Sequence, residues 1–378
     1  MRQILLTIAI LLLTACEATP IRPMQSNEDT QNLAPEEHRL WHSAAELDAQ
    51  LEKAGYLYKD EELRAYLQTV IHNLYPEYDG AITVRIVDSP SLNAFALPNG
   101  SIYINTGMLS RLENEAQLAT VLAHEGVHFT NKHSWKQRRS VKNSTAFSTG
   151  FGMVTGIPGL GDLISLSSIY GYSKDLEREA DAGGFQRLQA AGYDVSQAPV
   201  TFEFLLAEVE ALEIDEPYFF STHPALEERI KNFRELVQQH GTTNGYTGTE
   251  AYRSHVDKLQ LELLADYLEL SQYQSVLLIL ERQDAFVRYP PSAWYYLGEA
   301  YRLRNDEGDT ERSVNAYRTA IQQSPEFAPS YRALGLYYMK DNNPGQAEYY
   351  FSRYLELQPD ATDRDYIEYY RTSLKSRR

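Results

Sequence analysis

The sequence predicts an α+β protein, mainly α-helical, in which a domain with a small antiparallel sheet precedes an all-α repeat domain. Apolar residues recur at helical spacing through most of residues 39–240, whereas strand-like alternation is confined to residues 82–105. Near the C-terminus a leucine, glycine and tyrosine motif recurs, and its copies end at prolines 34 residues apart. The chain has 378 residues, enough for two or three domains.

The composition is that of a globular, acidic protein. A hydrophobic fraction of 43% and a charged fraction of 23% exclude disordered and collagen-like chains. The 35 lysines and arginines against 52 acidic residues give a net charge of −17, which repels phosphate backbones, so no nucleic-acid partner is expected. Cys16 is the single cysteine, so an intrachain disulfide and a multi-thiolate metal site are excluded. Any metal must be held by histidines and carboxylates.

The N-terminus has the features of an export signal. Residues 4–13 form an apolar run of ten residues after Arg2, about half of what a membrane-spanning helix needs. The run ends in Leu13-Thr14-Ala15-Cys16, which resembles the lipobox of bacterial lipoproteins. The resemblance implies removal of residues 1–15, a lipid on Cys16 and, with Glu17 next to it, sorting to the outer membrane. The alternative is an ordinary signal peptide with an incidental cysteine. Residues 16–38 are expected to form a tether.

Amphipathic helices are predicted over most of the next 200 residues. Apolar spacing indicates two helices between residues 36 and 75 and four more over 113–133, 174–191, 198–213 and 224–239. Alternation at Ile82, Val84 and Ile86 indicates a strand, and a Pro98-Asn99-Gly100 turn separates two further strand-like segments, so a small antiparallel sheet is expected. Residues 143–161 have five glycines and no charge, which favours a lining loop or short buried helix over a membrane span.

After a linker over residues 241–245, the pattern becomes repetitive. Trp294-x-x-Leu297-Gly298-x-x-Tyr301 matches the tetratricopeptide pattern, and Tyr331-x-x-Leu334-Gly335-x-x-Tyr338 begins a second copy. Residues 251–290 are expected to form a degenerate preceding repeat and 363–377 a capping helix. Residues 251–378 are therefore predicted to form a helical solenoid, whose aromatic residues pack between helices.

His124-Glu125-Gly126-Val127-His128 is an H-E-x-x-H motif inside one of the predicted helices. Residues four apart on a helix lie about 40° apart around its axis, so both imidazoles can reach one metal ion. Glu125 lies one step round the helix, in the position of a general base that holds the metal-bound water. The alternative is a helix with solvated or core histidines. Gly126 is expected to weaken the helix by about 1 kcal/mol.

A catalytic zinc needs a third protein ligand. Asn131 and Ser134 stand where the metzincin motif has glycine and histidine, and His133 is rotated off the face of His128, so we expect His133 at the surface. Glu177 and Asp181 are four residues apart in a later helix, where one can bind zinc and the other can orient a ligating histidine. The alternative for this pair is a solvated helix face.

Together these motifs resemble the gluzincin zinc metallopeptidases related to the CAAX prenyl protease and HtpX. The resemblance is closest to the BepA-like branch, which adds tetratricopeptide repeats, and it covers about residues 39–378. It rests on the segment from Asn93 to Ala96, the motif from His124 to His128, the Glu177-x-x-x-Asp181 pair and Thr222-His223-Pro224.

The resemblance implies a zincin-type protease domain over residues 39–240 and a role for each matching position. It implies one Zn²⁺ per chain, with His124, His128 and Glu177 as metal ligands. Glu125 is the implied catalytic base, and Asp181 is the second implied catalytic-site residue, which supports a ligating histidine from behind. Four consecutive residues would form the edge strand that aligns an extended substrate: Asn93, Ala94, Phe95 and Ala96. His223 would be a regulatory fourth ligand that keeps the enzyme latent; an exposed histidine before a helix is the alternative.

Two functional hypotheses follow. The first is a zinc-dependent endopeptidase of the bacterial periplasm, lipid-anchored at Cys16 to the outer membrane and engaged in quality control or assembly of envelope proteins. Its partners would be protein substrates and, through the repeats, the envelope assembly machinery. The second is a chaperone or assembly factor that acts through the repeats, with proteolysis secondary or latent.

Overall fold

The computed structural model describes residues 21–25, 33–141, 172–212, 226–240, 244–281 and 289–375. The expectation of a mainly helical α+β protein is confirmed. The strands are β1 Thr83–Val87, β2 Ala94–Ala96 and β3 Ser101–Asn105. The helices are α1 Pro35–Ala54, α2 Glu61–Leu74, α3 Thr106–Arg111, α4 Glu115–Thr130, α5 His133–Val141, α6 Lys174–Ala190, α7 Gln197–Leu212, α8 Leu226–His240, α9 Thr249–Glu269, α10 Tyr273–Leu280, α11 Ser292–Arg304, α12 Asp309–Gln323, α13 Ala328–Lys340, α14 Pro344–Leu357 and α15 Arg364–Lys375.

The sheet is mixed, so the expectation of an antiparallel sheet was wrong for one of its two strand pairs. Its order is β1-β3-β2, with β2 antiparallel to β3 across the Pro98-Asn99-Gly100 turn and β1 parallel to β3. Residues 88–93 carry the chain past β3 to the far edge, so β3 returns in the direction of β1. Side chains alternate between the two faces in parallel and antiparallel strands alike, so the alternation in the sequence could not reveal the direction of β1.

The sheet lies between two helical layers. The side chains of Ile86, Ala96 and Ile104 belong to the main apolar core, together with α2 and α4. On the other face, Phe95 and Tyr103 stack with ring centroids 5.1 Å apart and pack against the apolar side of α1. The sheet is therefore buried on both faces, and α4 lies against the side that carries β2.

The main core continues past the predicted linker. Helix α9 contributes Tyr252, Leu263 and Tyr267 to the same apolar cluster that holds α2 and α4. Arg111 of α3 makes a buried ion pair with Glu208 of α7, and its guanidinium lies 4.5 Å from the ring centroid of Tyr267. A second core begins only at Val314 and extends to Leu374. The sequence pattern thus changes at residue 251, but the apolar core is not divided there.

Helices α11 to α14 pack as two successive pairs, α11 with α12 and α13 with α14. A Cβ atom at Gly298 would lie 2.5 Å from the Tyr317 ring, and one at Gly335 would lie 2.5 Å from the Phe351 ring. Glycine in the first helix of each pair therefore lets an aromatic ring of the second helix approach its backbone. This explains why the leucine-glycine step recurs; that the pairs form a tetratricopeptide solenoid stays a prediction.

In the described part of the chain, no helix has the length and apolar character needed to cross a bilayer. The expectations for residues 1–15, Cys16, 143–161 and His223 concern positions outside the described residues.

Candidate metal centre

Helix α4 carries the H-E-x-x-H residues through the middle of the main apolar core. Asn114 caps its start, since the Asn114 side chain accepts a hydrogen bond of 3.0 Å from the backbone of Gln117. Every residue of α4 is buried. The cap and the surrounding core therefore hold His124, Glu125 and His128 in fixed positions on the last turns of the helix.

His124, His128 and Glu177 form a buried cluster of potential metal ligands. The Nε2 atoms of the two histidines are 3.0 Å apart. The carboxylate of Glu177 on α6 lies 3.4 Å from Nε2 of His124 and 3.5 Å from Nε2 of His128. Two imidazole nitrogens and one carboxylate oxygen converging on one point form a donor set that Zn²⁺ accepts, with a fourth position left for solvent or substrate. The donors therefore fit a catalytic zinc ion.

Asp181 lies behind His124, on the side away from the cluster. Its Oδ1 atom is 2.9 Å from Nδ1 of His124, and both side chains are buried. Burial alone would raise the pKa of Asp181, but the charge of Arg229 and the bond with His124 outweigh it and lower the pKa. Asp181 is therefore an ionised acceptor that can hold the His124 ring with Nε2 free to bind a metal.

Arg229 of α8 completes this arrangement, and the sequence reasoning missed it. Its NH2 atom donates a hydrogen bond of 2.6 Å to Oδ1 of Asp181 and lies 2.9 Å from Nδ1 of His124. Its guanidinium also lies 4.0 Å from the ring centroid of Phe202. A usable signal was present, because Arg229 stands on the apolar face of its helix between Leu226 and Phe233. A charge in that position indicates a buried partner.

Glu125 points to the neighbouring strand. It accepts a hydrogen bond from the backbone of Ala96, and burial, with the negative charge of Glu177, raises the pKa of Glu125 to about 8. A cation held by the adjacent ligands would favour the carboxylate form.

Strand β2 lies at an edge of the described sheet. Asn93 and Leu97, the residues on either side of β2, bond through their backbones to Asn105 and Ser101 of β3. By the alternation of an antiparallel ladder, the peptide groups of Ala94 and Ala96 face the opposite side, toward α4. Phe95 points into the apolar layer under α1. The four residues from Asn93 to Ala96 are therefore brought next to Glu125, although all four are buried.

His133 is buried, so the expectation of a surface position was wrong. Helix α4 ends at Thr130, Lys132 adopts a left-handed φ of 55°, and a new helix begins at His133. The turn returns His133 toward α4, with its Nδ1 2.9 Å from Nδ1 of His128. Burial lowers the pKa of His133 to about 4, although the charge of Glu179 opposes the shift. Helical angles could not predict this contact because the two residues lie in different helices.

Gly126 has a packing role that its low helix propensity did not suggest. A Cβ atom at this position would lie 2.3 Å from the ring of Tyr75, which follows α2. The hydroxyl of Tyr75 donates a hydrogen bond of 2.5 Å to the carbonyl of Ala123, one turn earlier. Glycine therefore leaves the space in which Tyr75 supports the back of α4.

Residues 58–237 match the family model of peptidase family M48. Among curated relatives, the mitochondrial metalloendopeptidase OMA1 of Danio rerio is 32% identical over 42% of this chain and 36% of its own length. The beta-barrel assembly-enhancing proteases of Yersinia pestis and Escherichia coli K12 are 27% and 26% identical, each over 50% of this chain and 42% of their own length. The alignments thus span less than half the length of these curated relatives.

The family match includes α4, with its two histidines and Glu125, and the part of α6 that carries Glu177 and Asp181. The residues that converge in the structure therefore all lie within the segment that matches the family model. Residues 58–237 of this chain are thus similar to the metalloproteases of peptidase family M48.

Proposed function

We propose that this chain is a zinc endopeptidase of the bacterial cell envelope that acts on outer-membrane or other envelope proteins during their assembly or quality control. The observation that carries the proposal is the convergence of His124, His128 and Glu177 beside Glu125 and a strand edge. The envelope role is supported by relatives named beta-barrel assembly-enhancing proteases.

Three side chains would hold the ion, namely His124, His128 and Glu177. When bound, zinc supplies a Lewis acid that polarises a carbonyl and lowers the pKa of water. Asp181 accepts the Nδ1 proton of His124, so Nε2 of that ring is directed to the ligand cluster. Glu125 accepts a proton from the attacking water and returns it to the leaving nitrogen. The peptide group of Ala94 and the carbonyl of Ala96 offer backbone hydrogen bonds that would align an extended substrate.

The test is substitution of Glu125 by Gln, with Glu250→Gln as a matched control because Glu250 is exposed. Cleavage of an unfolded protein substrate should fall by about 10²–10⁴-fold in Glu125→Gln, while bound zinc stays stoichiometric. Glu250→Gln should cleave as the parent does. A parent without stoichiometric zinc, or a Glu125→Gln chain that is equally active, would contradict the proposal.

Two finer parts of the proposal concern residues outside the described structure. A latency role for His223 predicts that His223→Ala raises the cleavage rate. Cleavage is therefore also compared between the His223→Ala chain and a chain that carries both His223→Ala and Glu125→Gln. A lipid on Cys16 predicts that Cys16→Ser shifts the protein from the membrane fraction to the soluble periplasmic fraction and removes the lipid mass.

The second candidate function, an assembly factor acting through its helical repeats, is favoured by a separate observation. A cavity of about 600 Å³ lies among α11, α12 and α13, and its lining includes Tyr295, Tyr301, Tyr317 and Tyr337 with Arg302, Arg332 and Lys340. Such a mixture of aromatic and polar side chains is suited to a protein segment. If a Glu125→Gln chain restored envelope assembly as fully as the parent in a deletion strain, this function would be the main one.

A further inference from the structure

The two nitrogens of the His128 ring face different partners. Nε2 lies in the ligand cluster, 3.0 Å from Nε2 of His124. Nδ1 lies 2.9 Å from Nδ1 of His133, at the start of the next helix. His128 is thus held between the ligand cluster and a second buried imidazole.

This contact constrains where the protons reside. A histidine that binds a metal through Nε2 is neutral and carries its proton on Nδ1. The Nδ1 atom of His128 is therefore the donor, and Nδ1 of His133 must accept. His133 then carries its own proton on Nε2. That Nε2 lies 3.5 Å from the Oε2 atom of Glu179, a carboxylate suited to face an N–H group.

Glu179 is itself held in place from α5 and from the turn before it. Lys136 donates to its Oε1 over 2.9 Å, and Asn131 donates to the same oxygen over 2.7 Å. The order of contacts therefore runs from Glu179 through His133 to His128 and the ligand cluster. His124, by contrast, meets the carboxylate of Asp181 directly.

We propose that His133, oriented by Glu179, is a positioning residue that fixes the ring orientation and the protonated nitrogen of the metal ligand His128. The inference rests on the proposed function, since it needs a metal at the cluster. Carboxylates and other acceptors behind metal-binding histidines commonly change metal affinity by about 10–100-fold. Here the acceptor is a second histidine, which the H-E-x-x-H motif does not specify.

Two substitutions of His133 separate positioning from packing. In His133→Asn, the side-chain oxygen can occupy the place of Nδ1 and accept from His128, although the side chain is smaller. In His133→Phe, the ring volume is kept and the acceptor is lost. Positioning predicts that the zinc Kd, measured by chelator competition at one pH, rises about 10–100-fold in His133→Phe and much less in His133→Asn. A role in packing predicts the reverse order.

Glu179→Gln, at a partly exposed site, tests the outer contact without opening the core, and Glu250→Gln is its control. We expect a smaller rise in the zinc Kd for Glu179→Gln and none for the control. Urea unfolding of the metal-free chains shows whether each variant folds, and the visible spectrum of the Co²⁺-loaded chains reports the ligand geometry.

Equal zinc affinity in His133→Phe and the parent, with a parent-like cobalt spectrum, would overturn the inference while leaving the proposed function intact. If His133→Phe fails to fold, the other two variants decide. The inference is overturned if Glu179→Gln and His133→Asn both keep the zinc Kd and the cobalt spectrum of the parent. A parent that binds no zinc overturns both proposals together.

Discussion

Gly126 and Tyr75 show how a single side chain restricts which residue can occupy one position of α4. Alanine normally favours a helix by about 1 kcal/mol over glycine. At position 126 its Cβ would lie 2.3 Å from the Tyr75 ring, too close for any packed side chain. The steric effect is therefore expected to outweigh the gain in helix propensity.

We predict that Gly126→Ala lowers the free energy of unfolding by about 1–3 kcal/mol, as overpacking of a core does. The check is urea unfolding of the metal-free protein. In a chain that also carries Tyr75→Leu, Gly126→Ala should lower the free energy of unfolding by less, because the ring that the new methyl group would meet is absent. Equal costs of Gly126→Ala in the two backgrounds would refute the steric explanation.

Arg229 neutralises a carboxylate that is buried beside His124. It reaches both oxygens of Asp181 with hydrogen bonds of 2.6 to 3.2 Å. Without it, Asp181 would remain a buried charge whose neighbour His124 is neutral when it binds a metal. Stability and ligand orientation therefore depend on the same ion pair.

Arg229→Leu should reduce the free energy of unfolding by about 3–5 kcal/mol, because it leaves Asp181 without its compensating charge. Arg178→Leu is the matched control, since Arg178 makes an exposed ion pair with Glu228 and its loss should cost far less than the loss of Arg229. Equal costs measured in urea for the two variants would contradict this account of Arg229.

Between α1 and the sheet, one carboxylate of the helix is bonded to two strands, β1 and β3. Asp48 accepts hydrogen bonds from Arg85, Ser101 and Tyr103. Burial alone would raise the pKa of Asp48, but these bonds and the charge of Arg85 outweigh it and lower the pKa. The stability from this group is therefore present above the pKa of an unfolded aspartate, about 4, and is lost as pH falls through the lower folded pKa.

Asp48→Asn should accordingly destabilise the protein by about 1–3 kcal/mol at pH 7 and by progressively less below about pH 4. Urea unfolding at a series of pH values measures the difference. Asp175→Asn, at an exposed position, serves as the control and should show little difference at any pH. A constant difference across the series would show that the charge of Asp48 is not what stabilises the contact.

At the level of the chain, the protease core and the first repeat-like helices share one apolar cluster. Tyr252, Leu263 and Tyr267 of α9 lie in that cluster, and Arg111 contacts Tyr267 from the protease side. The sequence pattern, by contrast, separates the two parts at residues 241–245. Removing the later part should therefore expose core surface that the pattern alone does not reveal.

We predict that a chain ending at residue 240 is insoluble or unfolds without cooperativity, because it lacks the side chains of α9 that cover the core. A chain ending at residue 323 keeps α9 to α12 and should unfold cooperatively in urea and bind zinc. Soluble yield and urea unfolding compare the two chains. A stable, cooperative chain ending at 240 would show that the shared cluster does not contribute to protease stability.

Much of the fold could be predicted because local periodicity reports which face of an element is buried. The helices and strands lie close to the predicted segments, and the hairpin at Pro98-Asn99-Gly100 has the expected turn. The parallel pairing of β1 could not be predicted, since a half-buried strand has the same alternation in either direction. Choosing its direction requires the path of residues 88–93 around β3.

The sequence by itself determined the chemistry of the centre: H-E-x-x-H places His124, Glu125 and His128 on one helix face, and Glu177 and Asp181 stand one helical turn apart. Only the tertiary structure decided what surrounds them. It placed Arg229 behind Asp181, brought His133 back to His128 after a left-handed turn at Lys132, and packed Tyr75 against Gly126. Helical geometry relates residues within one helix, whereas these contacts join different elements, and only the folded chain defines their distances.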